Sequence, residues 1–387
     1  MRALLLATTV LMAPAALATP ATAPATDHHH AEMTQSAPTP APNDQPEATA
    51  PTQLVPDAVV MTPMELSDRP HELDLHSSHD ITPLDPEAFP LAAADRSGGQ
   101  LLESRINDGV REFTLAADEL AWPITEDTNV AAFAYNGQLP GPMIRVKAGE
   151  KIRILFTNNL SEPTTVHWHG IDVPIEMDGV PGISQDPVPP GGTFHYEFTV
   201  PNTPGTFFYH SHVMPDRQQA LGLAGAFIID PATPPKAKAW DSEHTFVLGE
   251  WTVKEGGNVP SMPMEGMLPN YFTINGKSWP ASGKISATVG ERVLLRIINA
   301  GAFSHPIHLH GAPFRIVAAD GRPVPTAAQL TKDTLSVAPG ERYDLLWTPT
   351  RPGTWLLHCH INHHTMNDGQ EQGGMGGMAV PIEVSAP

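Results

Sequence analysis

The 387-residue chain has one cysteine, 22 basic residues against 42 acidic ones, and a single long apolar run, at its start. One thiol cannot close an intramolecular disulfide, and it excludes Cys-rich zinc modules and iron–sulfur clusters held by four thiolates. The shortage of Lys and Arg leaves a formal charge of −20, which argues against a nucleic-acid partner, because such binding needs a basic face. Beyond the N-terminus no stretch is apolar for long enough to span a bilayer, so no membrane anchor is expected. What the chain has in quantity is 42 Pro, 31 Gly and 19 His. Pro and Gly at this level favour short strands and turns over long helices. Many imidazoles beside one thiol is the oddity that leads to function.

Met1-Arg2 precedes the run ALLLATTVLMAPAALA, and Ala16-Leu17-Ala18 fits a small-residue cleavage site, with Ala21-Thr22-Ala23 as a second candidate. This predicts a signal peptide over 1–18 and an exported protein, periplasmic or secreted. With no twin arginine and no cysteine near the cut, a Sec-type route without lipidation is the simpler reading. Residues 19–104 hold 13 Pro, 14 acidic residues, two basic ones and one aromatic, Phe89. Such a segment buries too little apolar area to offset chain entropy, so disorder is expected there. It carries −12 of the charge, which leaves the globular part only mildly acidic.

From residue 105 the pattern turns to strands. VREFTLAAD, GPMIRVKAG, EKIRILFTN, TFHYEFTVP and GAFIID are short and rich in β-branched or aromatic residues. A second set follows: HTFVLGEW, NYFTING, GERVLLRIIN, FRIVAADG, RYDLLWTP and TWLLHCH. Strands at this spacing predict an all-β chain of two β-sandwiches. PATPPKAKAW marks the junction, giving a first domain over 105–232, a linker over 233–242 and a second domain over 243–387.

The two sets are copies. GEKIRILFTNN (149–159) aligns with GERVLLRIINA (290–300), and the same offset places PTTVHWHG (163–170) on SHPIHLHG (304–311). PGTFFYHSH (204–212) aligns with PGTWLLHCH (352–360) at nearly that offset. Repeated order, not merely repeated composition, indicates an internal duplication.

Four paired-histidine motifs fall inside these copies: His167-Trp168-His169, His210-Ser211-His212, His308-Leu309-His310 and His358-Cys359-His360. Residues i and i+2 of a strand share a face, so each pair offers two imidazoles to one site. Eight neutral imidazoles without a carboxylate pair suit copper better than calcium or magnesium. By the same parity Cys359 faces the other side of its strand. His305, three residues before His308, also points away from the pair, and His364 follows in the next loop. A His₂Cys set with a weak axial Met is that of a blue-copper electron-transfer site.

On these motifs residues 105–387 resemble the multicopper oxidases, the laccase-like family of cupredoxin repeats. The resemblance implies two cupredoxin-like Greek-key sandwiches and four copper ions per active unit. In the family pattern His305, Cys359 and His364 correspond to the type 1 site, and His167 and His308 to the type 2 ligands. His169, His210 and His360 would hold one type 3 copper, and His212, His310 and His358 the other. The axial residue is displaced by an insertion, TMNDGQEQGG. Met378 takes its usual place before the terminal apolar run, with Met375 as the alternative. Asp178, in IEMDGVPG, occupies the position of an acid that relays protons to reduced oxygen; the plainer reading is a turn aspartate before glycine. The resemblance further implies dioxygen as acceptor, phenols or another small reductant as donor, and a homotrimer with the cluster between neighbouring chains. Thr164 and Ser211 stand where His305 and Cys359 align, so the first repeat lacks a blue site, which disfavours a copper nitrite reductase. The alternatives kept are a Cu(I) or other metal oxidase in copper tolerance, and a copper-binding protein with little oxidase activity.

The remaining candidates have plainer readings. His363 is the alternative to His364 as ligand, and His195 and His244 read as ordinary strand or surface residues. His28, His29, His30, His71, His76 and His79 suggest a copper-collecting tail, against which stands a polar tract without a metal role, the reading favoured here. Met262, Met264 and Met267 offer thioethers for Cu(I), though packing or pocket lining is preferred.

Overall fold

The structure, a computed structural model, describes residues 82–236, 239–262 and 266–387. The predicted signal peptide, the first part of the predicted disordered segment with its six histidines, and Met264 lie outside the described residues.

The duplication read in the sequence reappears as duplicated topology. In the first repeat Val110–Pro123 pairs in parallel with Lys151–Asn158, and Gly141–Lys147 in parallel with Ala224–Asp230. In the second, Ser242–Lys254 pairs in parallel with Val293–Asn299, and Ile285–Thr288 in parallel with Ala379–Ser385. Antiparallel neighbours complete two sheets per repeat, of five and four strands in the first and eight and five in the second. Each pair of sheets closes on its own core, one around Ile154, Phe156 and Trp168, the other around Leu295, Ile297 and Leu357. The described residues are thus nearly all β, two cupredoxin-like sandwiches in tandem.

Aligned strands can differ in what covers them. Lys151–Asn158 buries every second residue, Ile152, Ile154, Phe156 and Asn158, as a strand with one wet face should. Its copy Val293–Asn299 is buried at every position, because its outer face lies against the first repeat. Ile298 packs there with Phe208, Ala224 and Ala226. Arg296 donates to Thr206 Oγ1 at 2.7 Å and pairs with Asp344 at 3.0 Å and Glu243 at 2.9 Å. Glu243 also meets Arg145 of the first repeat, which itself pairs with Asp230. Arg296 and Asp344 are buried at the centre of this network, while Glu243, Arg145 and Asp230 at its rim are half-buried.

The expectation of disorder up to residue 104 is corrected for 82–104. Leu84 bridges to Asn258, Leu91 to Ala121 and Leu101 to Met143, and Leu84, Ala92 and Leu102 pack on the first core. Ordering here comes from backbone hydrogen bonds made along existing strand edges. Composition does not count those, since every residue except proline carries the same donor and acceptor.

The ligand-bearing strands sit at equivalent places. His167–His169 runs antiparallel to Gly205–His210 with His167 opposite His210, and His305–Leu309 runs antiparallel to Gly353–Cys359 with His308 opposite His358. The residues between paired histidines, Trp168, Ser211, Leu309 and Cys359, are all buried inward.

Candidate metal centres

The inward face of the second repeat brings His305, Cys359 and His364 together. Cys359 Sγ lies 3.4 Å from His364 Nδ1 and 3.9 Å from His305 Nδ1, and the two imidazole nitrogens are 3.1 Å apart. All three side chains are buried. Burial pushes the thiol up to about 11 and the His364 imidazole down to about 3. Two buried imidazoles and a thiol form a donor set fitted to a soft transition metal.

The structure brings His364 to the thiol, not His363. His364 stacks on Phe272 with ring centroids 3.9 Å apart, whereas His363 is exposed and touches His364 edge-on at 4.4 Å. Met378 is fully buried in the core that contains Cys359, donates its N–H to His364 O at 2.9 Å, and accepts from Cys359 N at 3.1 Å. Met375 is half-buried. The insertion returns the chain to this point through Asn367, whose Oδ1 accepts from Gly377 N at 2.9 Å and Ser278 Oγ at 2.5 Å. Gly377 has φ 58°, and a Cβ there would lie 2.0 Å from His364 O, so glycine is required for the return.

Sequence reading missed Glu250. Its Oε2 lies 3.3 Å from His305 Nε2, while Oε1 accepts from the amides of Ala302 and Phe303, the latter at 3.1 Å. The available signal was an acid inside the apolar strand segment VLGEW.

The equivalent position in the first repeat holds a polar plug. Thr164 Oγ1 and Ser211 Oγ are 3.2 Å apart, and both donate to Gln218 Oε1, at 2.8 and 2.5 Å. Gln218, seven residues after Ser211, fills the space that a second histidine ligand would take, and its Nε2 is satisfied by Glu162 and the Pro163 carbonyl. Three neutral, mutually bonded oxygens leave no donor set for a copper ion.

The other faces carry the histidine pairs. In the first repeat His167 has ring centroids 5.9, 5.3 and 5.3 Å from His169, His210 and His212. In the second His308 lies 4.9, 5.5 and 5.5 Å from His310, His358 and His360. Burial drives His210 down to about 3 and His169 to about 4, and lowers His310 and His358 as well. These rings are neutral at pH 7, as metal ligands must be.

Backbone carbonyls fix the tautomers. His167 Nδ1 donates to Asp178 O at 2.7 Å and His308 Nδ1 to Asp333 O at 2.8 Å. His210 and His358 donate to the carbonyls of the residues that follow them, Ser211 at 2.7 Å and Cys359 at 2.8 Å. Each bond turns an Nε2 lone pair toward the cluster, where Nε2 of His210 lies 3.2 Å from His169 Nδ1 and Nε2 of His358 3.2 Å from His310 Nε2. Asp178 also places its Oδ1 3.4 Å from His167 Nδ1. Asp333 was not foreseen, because nothing in the sequence ties it to a histidine 25 positions earlier. Among the described residues, no three-ligand group combines the first repeat with the second, and no histidine ring contact joins the two clusters.

His195 lies on the strand Thr193–Thr199 and is exposed; His244 is half-buried on Ser242–Lys254, and neither joins a cluster. Met262 is buried at the junction of the repeats, and Met267 Sδ accepts from Lys254 Nζ at 2.8 Å.

A buried His–Cys–His site wired through one strand to an imidazole cluster, within tandem cupredoxin-like sandwiches, defines a copper redox protein. Two family models described as multicopper oxidase match residues 117–234 and 255–373. The solved blue copper oxidase from Nitrosomonas europaea superposes with a TM-score of 0.65 at 33% identity, over 70% of this chain and 85% of that one. Multicopper oxidase MmcO of Mycobacterium tuberculosis is 33% identical over 57% of this chain and 48% of its own. Copper resistance protein A of Escherichia coli is 32% identical over 62% and 46%. The chain belongs to the multicopper oxidases, and copper is its cofactor. It spans about half the length of these curated relatives. No helix among the described residues is long and apolar enough to cross a membrane.

Proposed function

We propose that the chain is an exported, laccase-type oxidase that couples one-electron oxidation of phenols or other small reductants to four-electron reduction of dioxygen to water. The observation that carries this reading is the parity of the strand Gly353–Cys359: its thiol faces the buried site while His358 faces the imidazole cluster. His305, Cys359, His364 and Met378 are assigned to the type 1 ion, and His167 and His308 to type 2. His169, His210 and His360 are assigned to one type 3 ion, and His212, His310 and His358 to the other. Copper in these places supplies one-electron redox steps and the reduction of dioxygen.

The chain's own residues do the rest. The second core excludes water from Cys359, and the peptide of residues 358–359 is the short covalent link between the two sites. Asp178 orients His167 through its carbonyl and holds a carboxylate beside the same ring, placed to pass protons toward the cluster. Among the described residues no three-ligand group combines the two repeats, which supports a homotrimer in which first and second repeats of neighbouring copies complete the cluster.

Oxygen uptake by copper-loaded protein, with phenols and Cu(I) run side by side, tests the reading. Uptake with phenols supports it. Clearly faster uptake with Cu(I) would make the protein a cuprous oxidase, and no uptake with any donor would make it a copper-binding protein.

A further inference from the structure

Two aligned histidines present different nitrogens. His169 turns Nδ1 toward His210 Nε2, 3.2 Å away, whereas its copy His310 turns Nε2 toward His358 Nε2, also at 3.2 Å. The strands that carry them sit at equivalent places. What differs is the covering of the rings. His310 is exposed, and a Cβ on the glycine after it, Gly311, would lie 2.9 Å from Trp355 Cδ2 of the same repeat. His169 is half-buried, and a Cβ on the glycine after it, Gly170, would lie 2.6 Å from Arg342 Nη2 of the second repeat.

The second repeat also reaches the ring itself. A Cβ on Gly340 would lie 3.2 Å from His169 Cε1 and 3.6 Å from Nε2, so that glycine sits against the Cε1–Nε2 edge. Phe208 stacks on the ring face with centroids 4.4 Å apart. Gly340 belongs to the turn closed by Glu341 N donating to Ala338 O at 3.0 Å. Arg342, the first residue of the strand Arg342–Trp347, donates from Nη1 to Gly340 O at 2.7 Å and pins that turn. Its guanidinium carbon stands 5.8 Å from the centroid of the Phe208 ring. One side chain thus meets the residue after His169, the ring stacked on it and the glycine at its edge.

Arg342 is a poor packing group for such a place. Its side chain is 5% exposed, Nε has no hydrogen-bond partner, and the carboxylate it pairs with, Asp320 at 3.3 Å, is 54% exposed. Burial lowers the guanidinium from its ordinary 12.5 in spite of Asp320. A buried, incompletely paired charge does little for stability, and a buried polar atom left unsatisfied calls for another role.

We propose that Arg342 is a positioning residue: by holding Gly340 and Phe208 around the ring, it keeps His169 with Nδ1 toward the cluster. The second repeat of a chain then shapes the metal face of its own first repeat. This rests on the assignment of His169 as a type 3 ligand above.

The test compares full-length, copper-loaded Arg342→Lys, Arg342→Gln and Gly340→Ala with wild type and with His169→Ala. Lysine keeps the charge but lacks the planar fork that reaches Gly340 O while lying over Gly170. Alanine at 340 presses on the ring directly. Copper retained against a competing chelator, the blue absorption of the type 1 ion, and the electron paramagnetic resonance of the type 3 pair are measured. They are read on fractions that keep the wild-type oligomeric state and circular dichroism.

In all three variants the blue absorption should persist, because Arg342 does not touch His305, Cys359 or His364. Copper affinity of the cluster should fall about 10–100-fold, the range for losing a group that orients a ligand. The type 3 pair, silent in resonance when coupled, should become visible, as in His169→Ala. Wild-type affinity and a silent pair in Arg342→Gln and Gly340→Ala, where His169→Ala loses both, would overturn the proposal. Full retention by Arg342→Lys beside loss in Arg342→Gln would make charge the operative feature, and overturn it too. A silent pair and full copper in His169→Ala would instead remove the ligand assignment, and the positioning role with it.

Discussion

The imidazole of His358 donates from Nδ1 to the carbonyl oxygen of its neighbour Cys359, at 2.8 Å. The thiol and the ring of these adjacent residues therefore belong to different sites, yet are joined twice, by the peptide bond and by this hydrogen bond. His210 makes the same bond to Ser211 in the first repeat, where no thiol stands on the other side. The geometry of the link is thus common to both sandwiches, and what differs behind it is the donor set: His305, Cys359 and His364 in the second repeat, Thr164, Ser211 and Gln218 in the first.

Asp178→Asn retains the carbonyl that orients His167 and removes only the charge on Oδ1, 3.4 Å from that ring. Copper content and blue colour should be unchanged, while oxygen reduction slows by about 10²-fold, in the range for loss of a positioned proton-transfer group. Turnover followed across pH checks this. A wild-type rate at every pH would reduce Asp178 to a turn residue.

Gly377→Ala drives a Cβ to within 2.0 Å of His364 O at a residue with φ 58°. The strain should cost about 1–3 kcal/mol and move both His364 and Met378. Thermal unfolding and the visible spectrum report this together: a lower Tm with an altered or lost blue band is expected. An unaltered spectrum would mean that the return of the insertion does not set the buried site.

Glu243 bears on stability through pH. Burial alone would raise its carboxyl, but Arg296 and Arg145 outweigh burial and hold it below its ordinary 4.5. A carboxyl lowered by folding adds stability above about pH 4.5, and that contribution fades as pH falls through the folded value. Glu243→Gln should therefore unfold at a lower temperature than wild type at pH 7, with the gap narrowing toward pH 3.5. A gap independent of pH would contradict this role for the inter-repeat network.

Intermolecular assembly can be tested by complementation. His167→Ala/His169→Ala spoils the face of the first repeat, and His308→Ala/His310→Ala spoils that of the second. Each variant alone should be inactive. Co-expressed, they should regain part of the activity, because an intact first face of one chain can meet an intact second face of another. No recovery, with mixed oligomers demonstrated, would place the cluster within one chain.

Legibility in the sequence followed the range of each interaction. Strands such as Lys151–Asn158 declare themselves by local alternation, and the histidine pairs by a period of two, so both the fold and the two-faced Cys359 were readable. Glu250 and Asp333 were not, since each acts on a partner far away along the chain, and neither was Gln218, whose bond to Thr164 spans 54 residues although Ser211 is near. Residues 82–104 misled for another reason: their order depends on edges supplied by other strands, not on their own apolar content. The all-buried strand Val293–Asn299 reads as a fully covered strand, but what covers its outer face is the other repeat, visible only in three dimensions.

The most direct test of the central claim is the ratio of ferrocyanide oxidised to dioxygen consumed, measured with a peroxide assay, in wild type and in Cys359→Ser. Serine keeps the shape of the buried side chain but supplies no thiolate, so the variant should lack the blue colour and consume no oxygen. The wild type should oxidise four ferrocyanide ions per dioxygen and release no peroxide. Two ferrocyanide ions per dioxygen with peroxide released, or undiminished oxygen uptake by Cys359→Ser, would contradict the account.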